Sequence, residues 1–395
     1  PAQHLDLVGV TGTNGKTTTT YLIDAALRAA GETVGLLGTI EYRIGPRLVE
    51  ASRTTPESSD LQALFREMVE AGCRRAVLEV SSHSLALHRV DGCAFKVAVF
   101  TNLTRDHLDF HGDMDRYFAV KRLLFDTLLR EDGHAILNAD DDRSAELARV
   151  ARGRVWTYSV SRPADLRAEG ITLSLAGTRF RAHTPVGVLE VGSPLLGRFN
   201  VQNLLAALGA VLALGLPAEA ALRGFASLAG VPGRLERIDC GQDFTVIVDY
   251  AHTDDALKNL LETVRELSPR RLITVFGCGG DRDRTKRPLM GAVAARLSDV
   301  VIVTSDNPRS EPPEAIVAEI KRGMPAGRGA DTLTIVDRRE AIAKALEMGR
   351  EGSVVVIAGK GHENYQVLRD RTVPFDDRQV ARDLLNRLAV RGGKR

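Results

Sequence analysis

The run Gly12-Thr13-Asn14-Gly15-Lys16-Thr17-Thr18 sets a glycine-punctuated turn directly before a lysine and two hydroxyls. Backbone N–H groups in such a turn, followed by a helix N-terminus, cradle an anion. Lys16 adds positive charge, and the Thr17 hydroxyl can hold Mg²⁺. The pattern is the short Gly-x-x-Gly-Lys-Thr form, because Val10 stands where the longer motif has its first glycine. Glu79 is followed by Ser81, Ser82 and His83. Its carboxylate could take Mg²⁺ with Thr17, since that ion favours one or two carboxylates plus phosphates and water. Asp106-His107-Leu108-Asp109 forms a second polar cluster, and Lys121 stands in an otherwise apolar run, 118–125. Spacing alone leaves Lys121 open between a functional group and a snorkelling helix lysine. Four more clusters follow: Asp249-Tyr250-Ala251-His252, residues 277–283, Ser305-Asp306-Asn307-Pro308-Arg309, and Gly359-Lys360-Gly361-His362-Glu363.

These residues need elements to hold them. Leu5 to Val10 reads as a strand and Thr17 to Ala30 as a helix, stopped by Gly31. Thr33–Leu37, Ala76–Val80 and Val97–Phe100 read as strands. Ser59–Ala71 and Tyr117–Leu129 read as helices. Ala135–Leu137 and Val155–Tyr158 are two further candidate strands. Between Ile171 and Val191, short alternating runs broken by Gly and Pro predict an antiparallel patch beside a parallel sheet. An Ala/Leu-rich helix over 201–214 follows. Near 236 the texture resets to strand–helix alternation: strands at 244–248, 272–276, 300–304, 332–336 and 354–358, with helices from Asp254, Lys286, Pro313 and Arg338. The expected fold is α/β. A phosphate-loop domain, mostly parallel with a small antiparallel patch, spans 1–235, and a Rossmann-like α/β domain spans 236–395. In open α/β sheets, polar residues at the C-terminal strand ends build the site. Four such ends in the second domain should converge along one sheet edge.

Composition narrows the class. The 395 residues carry 53 Lys and Arg against 51 Asp and Glu, a net charge of +2. With no sustained basic stripe, nothing marks a nucleic-acid footprint. No apolar run reaches the ~20 residues of a membrane helix, and no signal peptide is visible. Cys73, Cys93, Cys240 and Cys278 show no paired spacing, which argues against a zinc site or a disulfide framework and fits a reducing cytoplasm. The chain begins without Met and almost directly on a core strand, so an N-terminal part is expected to be missing. The tail from Arg391 to Arg395 is expected to be disordered.

Together these motifs resemble the Mur ligases, the ATP-dependent amide-forming enzymes of peptidoglycan synthesis. The likeness is strongest to the type that adds a diamino acid to UDP-N-acetylmuramoyl-L-alanyl-D-glutamate. It rests on Thr11–Thr18, Thr54-Thr55-Pro56, Glu79–His83, Asn102–Asp109, Lys121, Asn200-Val-Gln-Asn203, Asp249–His252, Gly277–Pro288, Asp306–Arg309 and Gly359–Gln366. The resemblance implies ATP as co-substrate, bound by Gly12, Thr13, Asn14, Gly15, Lys16, Thr17 and Thr18. Asn200 and Asn203 would lie near the adenine and Asp249 near the ribose. It implies two Mg²⁺ sites, one held by Thr17 and Glu79 and one by Glu79, His107 and a carbamylated Lys121. Lys16, Lys121 and His252 would be the catalytic groups. Thr54, Thr55, Ser81 and Arg89 would hold the muramoyl-dipeptide. Arg282, Asp306, Asn307, Arg309, Gly359 and Glu363 would hold the diamino acid. The form of residues 306–309 resembles that of ligases using meso-diaminopimelate. A cytoplasmic monomer is expected. The family also has an N-terminal domain that grips the uridine diphosphate, and no counterpart is seen here. The alternatives are a folylpolyglutamate-synthetase-like ligase and a non-catalytic subunit that keeps the fold.

Overall fold

The computed structural model describes residues 1–325 and 330–392. They form two compact units, Pro1–Ala229 and Gly230–Arg395.

The first unit starts with β1 (Asp6–Thr11), α1 (Lys16–Ala29), β2 (Val34–Leu37), β3 (Glu41–Ile44) and β4 (Arg47–Glu50). It continues through α2 (Ser58–Glu70), β5 (Arg75–Glu79), α3 (Ser82–Ala86), β6 (Phe95–Phe100), α4 (Leu108–His111) and α5 (Met114–Asp126). Then come β7 (Leu129–Asn138), α6 (Ser144–Val150), β8 (Arg154–Ser159), β9 (Leu166–Ser174), β10 (Gly177–Thr184) and β11 (Gly187–Ser193). Helices α7 (Arg198–Ala213) and α8 (Ala218–Ser227) close it. All its strands lie in one 11-stranded sheet, ordered β11-β10-β9-β8-β7-β6-β1-β5-β2-β3-β4. From β9 to β2 the neighbours are parallel, and the centre is buried on both faces: Leu7, Val8 and Val10 of β1 are fully enclosed. Such strands read as unbroken apolar runs, which is why the sequence exposes them.

The antiparallel patch is present as β9–β11. A second one, the β2–β3–β4 meander, was not anticipated. The helix expected over 117–129 starts earlier and stops earlier. Asp113 caps it by accepting from the Arg116 amide. Leu129 already belongs to β7, opposite Phe95 of β6.

The second unit holds β12 (Glu236–Ile238), β13 (Thr245–Asp249), α9 (Asp254–Glu266), β14 (Arg271–Phe276), α10 (Lys286–Leu297), β15 (Val300–Val303) and α11 (Pro313–Lys321). After them come β16 (Asp331–Thr334), α12 (Arg338–Met348), β17 (Ser353–Ala358), the hairpin β18 (Tyr365–Val367) and β19 (Thr372–Pro374), and α13 (Asp377–Gly392). Its sheet runs β12-β13-β17-β14-β15-β16, parallel except for β12. The last long strand therefore lies between the first and second parallel ones. Of the tail expected to be disordered, residues 391–392 end α13 and 393–395 lie outside the described residues. Among the described residues no helix is long and apolar enough to cross a membrane.

Candidate active site

The phosphate loop joins β1 to α1 and needs glycine at two points. Gly12 has φ +145°, and a Cβ there would sit 1.9 Å from Thr101 Oγ1. Gly15, the left-handed N-cap of α1 with φ +86°, would place a Cβ 2.5 Å from Asn203 Oδ1. Both substitutions combine a backbone that L-residues resist with a collision. The Lys16 ammonium rests on the loop itself, donating to the carbonyls of Gly12 at 3.0 Å and Thr13 at 2.7 Å.

Glu79, at the end of β5, is the hub beside the loop. Its side chain is buried. Oε2 accepts from the Thr17 hydroxyl at 3.0 Å and the Thr39 hydroxyl at 3.0 Å, and Oε1 accepts from the Thr39 amide at 2.8 Å. Among the described residues no three His, Cys, Asp or Glu side chains group as a metal site. The adjacent Thr17 hydroxyl and Glu79 carboxylate are hard oxygen donors of the kind Mg²⁺ takes, so the residues present fit that ion.

Residues 54, 55, 81 and 89, predicted to hold a substrate, are drawn together around this hub. Thr54 Oγ1 lies 3.1 Å from Thr39 Oγ1. The Thr55 hydroxyl donates to the Glu79 carbonyl at 2.7 Å and lies 3.4 Å from Ser81 Oγ. Ser81 caps α3 by accepting from the Ser84 amide at 3.1 Å. Arg89 reaches the Thr55 carbonyl at 3.3 Å and pairs with Glu57 at 2.9 Å.

Lys121 is no snorkelling lysine. Its side chain is 1% exposed, donates to the Gly12 carbonyl at 2.9 Å and lies 4.5 Å from the centre of the Tyr117 ring. Burial, reinforced by the Lys16 charge, drives its amine well below the ordinary lysine range. The Tyr117 hydroxyl in turn meets Thr13 Oγ1 at 3.2 Å, tying α5 to the loop. His107 belongs to an aromatic group in which its ring stands 4.8 Å from that of His83. Burial, then the charges of Lys16, His83 and Lys121, hold the His107 imidazole down to about 4 against the pull of Asp106. It is therefore neutral, the form that can ligate a metal. His111 is lowered to about 4 by burial and touches Ser82 Oγ at 2.9 Å.

Asn200 and Asn203 project from α7 against the loop helix. Asn203 donates to Asn200 Oδ1 at 2.8 Å and accepts from the Thr19 hydroxyl at 3.4 Å, while Asn200 donates to the Leu196 carbonyl at 2.8 Å. Asn14 is tied to Asn102, which accepts from its amide at 2.9 Å.

In the second unit, Asp249 accepts from the Leu235 and Ala251 amides, both at 2.7 Å. Burial nevertheless raises its carboxyl, against the nearby Arg234. His252 sits beside it, with Nδ1 3.0 Å from the Tyr250 carbonyl. Asn307, Arg309, Gly359 and Glu363 do converge. Asp306 Oδ1 accepts from the Asn307 amide at 2.6 Å, and its other oxygen lies against Gly359. Arg309 Nη1 donates to the Gly280 carbonyl at 2.8 Å. Arg282 flanks Gly279 in the same loop. At the centre stands Lys360, fully buried, bonded to Asn307 Oδ1 and Glu363 Oε2, each at 3.0 Å. Sequence reasoning did not single out Lys360, Thr39 or Tyr117. Thr39 and Lys360 each follow a strand end, the same signal that exposed Glu79.

Comparison with known proteins gives this arrangement relatives. The Mur ligase middle domain matches residues 10–211, and the Mur ligase glutamate ligase domain matches 233–361. A UDP-N-acetylmuramoyl-L-alanyl-D-glutamate–2,6-diaminopimelate ligase of Solibacter usitatus (strain Ellin6076) is 53% identical over 389 residues, covering 98% of this chain and 78% of that protein. Its namesake in Gloeobacter violaceus (strain ATCC 29082 / PCC 7421) is also 53% identical, covering 99% and 79%. A solved structure of a ligase of that name is 39% identical with a TM-score of 0.69, covering 98% of this chain and 79% of that one. Mycobacterium tuberculosis folylpolyglutamate synthase superposes with a TM-score of 0.70, covering 91% and 89%, but at 21% identity it shows a shared fold alone. With both domain types matched in order and half the residues shared with a relative over nearly the whole of this chain, the chain belongs to the Mur ligase family.

Proposed function

We propose that the protein is an ATP-dependent amide ligase that joins meso-diaminopimelate to UDP-MurNAc-L-Ala-D-Glu in peptidoglycan synthesis. The observation that carries this reading is the near-full-length likeness to ligases named for that reaction. The D-glutamyl γ-carboxylate attacks the γ-phosphorus of ATP, giving an acyl phosphate and ADP. The diamino acid's amine then attacks the acyl carbon, expels phosphate and loses a proton.

The residues divide this work. The loop amides of 12–18 would hold the phosphates, and Lys16 would move from the Gly12 and Thr13 carbonyls onto them. Mg²⁺, when bound, offsets charge that builds on the transferring phosphoryl group. Thr17 with Glu79 would hold one ion, and Glu79, His107 and Lys121 a second. Lys121 suits that role once carbamylated: burial shifts its amine toward the neutral form, and only a neutral amine adds CO₂. Asn200 and Asn203 would face the adenine and Asp249 the ribose, with His252 among the catalytic groups. Thr54, Thr55, Ser81 and Arg89 would take the muramoyl-dipeptide. Arg309 would clamp the distal carboxylate of diaminopimelate, and Glu363, beside the Gly359 backbone, its distal ammonium. Arg282, Asp306 and Asn307 would complete that pocket. A cytoplasmic monomer fits this reading.

The test is phosphate release by the purified protein with ATP, the muramoyl-dipeptide nucleotide and each candidate diamino acid, with the product identified by mass. Diaminopimelate-dependent release supports the assignment. Release dependent on a folate and glutamate, or none with any pair, overturns it.

A further inference from the structure

The amino-acid cluster contains an internal counter-charge. Lys360 is 0% exposed, and its ammonium lies 3.0 Å from Glu363 Oε2 and 3.0 Å from Asn307 Oδ1. The orientation of the Asn307 amide is fixed independently: the Val367 amide donates to Oδ1 at 2.9 Å, so that atom is the oxygen. Asn307 Nδ2 must then face Glu363, and it does, donating to Oε2 at 2.9 Å. Both bonds from Lys360 and Asn307 fall on Oε2, and among the described residues Oε1 accepts none. The Tyr365 ring covers the ammonium from 5.6 Å. Arg309, by contrast, donates to carbonyls and has no ion pair with a carboxylate among the described residues.

We propose that Lys360 is a positioning residue that sets which side chains the ligase accepts, favouring an end that carries both an ammonium and a carboxylate over an ammonium alone. This rests on the ligase reading above. Lys360 cancels Glu363's charge in a part-buried contact and locks the carboxylate and Asn307 into one arrangement. An incoming ammonium finds a neutral Lys360–Glu363 pair, which attracts it little, and the Arg309 guanidinium, which repels it and which Asp281 offsets only from beyond ion-pair distance. A zwitterionic end brings its own carboxylate to Arg309 and its ammonium to Oε1, so each of its charges meets an opposite one. A lone ammonium, as in lysine or ornithine, leaves Arg309 unpaired.

The measurement is the ratio of kcat/KM for diaminopimelate to that for L-lysine, in wild type, Lys360→Met, Lys360→Arg and Glu363→Gln. Lys360→Met leaves Glu363 unbalanced and should lower the ratio on the order of tenfold, about 1.4 kcal/mol of discrimination. Lys360→Arg restores the charge and should restore the ratio. Glu363→Gln unbalances the lysine instead, and should raise the ratio while lowering both rates. A merely structural Lys360 would depress both substrates equally and leave the ratio unmoved, and that result overturns the assignment. If Lys360→Met does not fold, an unmoved ratio in Glu363→Gln overturns it equally. Wild-type protein that turns over neither amino acid would instead remove the ligase reading itself.

Discussion

Glu79→Gln separates what the hub carboxylate does for the fold from what it does for the chemistry. The carboxylate accepts three hydrogen bonds, from the Thr17 hydroxyl, the Thr39 hydroxyl and the Thr39 amide. Glutamine keeps an oxygen for the amide and turns its –NH₂ toward two hydroxyls that can rotate to accept. The net loss is about one hydrogen bond, about 1 kcal/mol, or a Tm lower by roughly 2–4 °C for a unit of this size. Glu79→Ala would strand the buried Thr17 hydroxyl and leave the half-buried Thr39 hydroxyl and amide to water and Thr54, and should cost about 2–3 kcal/mol. Turnover behaves differently. Losing an anionic ligand removes several kcal/mol of charge stabilisation, and about 4 kcal/mol is roughly a thousandfold in rate. The assays are thermal unfolding and ATP-dependent phosphate release over a Mg²⁺ series. A Gln variant within tenfold of wild type, with the same Mg²⁺ dependence, would refute the metal role. One that melts as low as the Ala variant would refute the hydrogen-bond reasoning.

Lys121→Ala should abolish turnover, and formate or acetate should partly restore it by replacing the carbamate oxygen. Full activity without rescue would reduce Lys121 to a buried helix lysine. Arg309→Ala should weaken apparent diaminopimelate binding by about 2–4 kcal/mol and leave ATP affinity nearly unchanged. Unaltered diaminopimelate use in a competition assay would remove Arg309 from the pocket. Burial, with Arg234 and Arg378, holds His362 down to about 3, far below its unfolded value. The unfolded chain therefore binds the extra proton first, and stability should fall as pH drops below 6.5, by up to about 1.4 kcal/mol per pH unit. His107 and His111, also held down to about 4 by burial, add to the same loss between pH 6.5 and 5, so His362 accounts for one share of the slope. His362→Gln should reduce the slope there without abolishing it, and an unchanged slope would contradict the assignment.

What the sequence made legible was local. The loop 12–18, Glu79, His107 and the strand-end clusters all advertise themselves by position, because a parallel sheet places its polar residues where buried apolar strands stop. The second antiparallel patch was not legible: β3 alternates for only four residues, with Tyr42 and Ile44 turned inward, too short a run to stand out. The end of α5 was misplaced because Leu128 and Leu129 continue the helical apolar period although the backbone has already turned to pair with β6. Lys360 was hidden for another reason. A lysine between two glycines reads as a surface residue, and only the fold reveals that Asn307 and Glu363 enclose it.

The placement of β17 between β13 and β14 bears on how the chain is made. Thr245 pairs with Val354, and Leu272 pairs with the same Val354 from the other side. Until residues 353–358 emerge from the ribosome, β13 and β14 each present an unpaired edge of Val, Ile and Leu. Loop closure over this distance is slow, and such edges template aggregation. The C-terminal unit is thus most vulnerable late in its own synthesis. Chains cut short before Ser353 should accumulate as insoluble material, even though they retain every strand from β12 to β16.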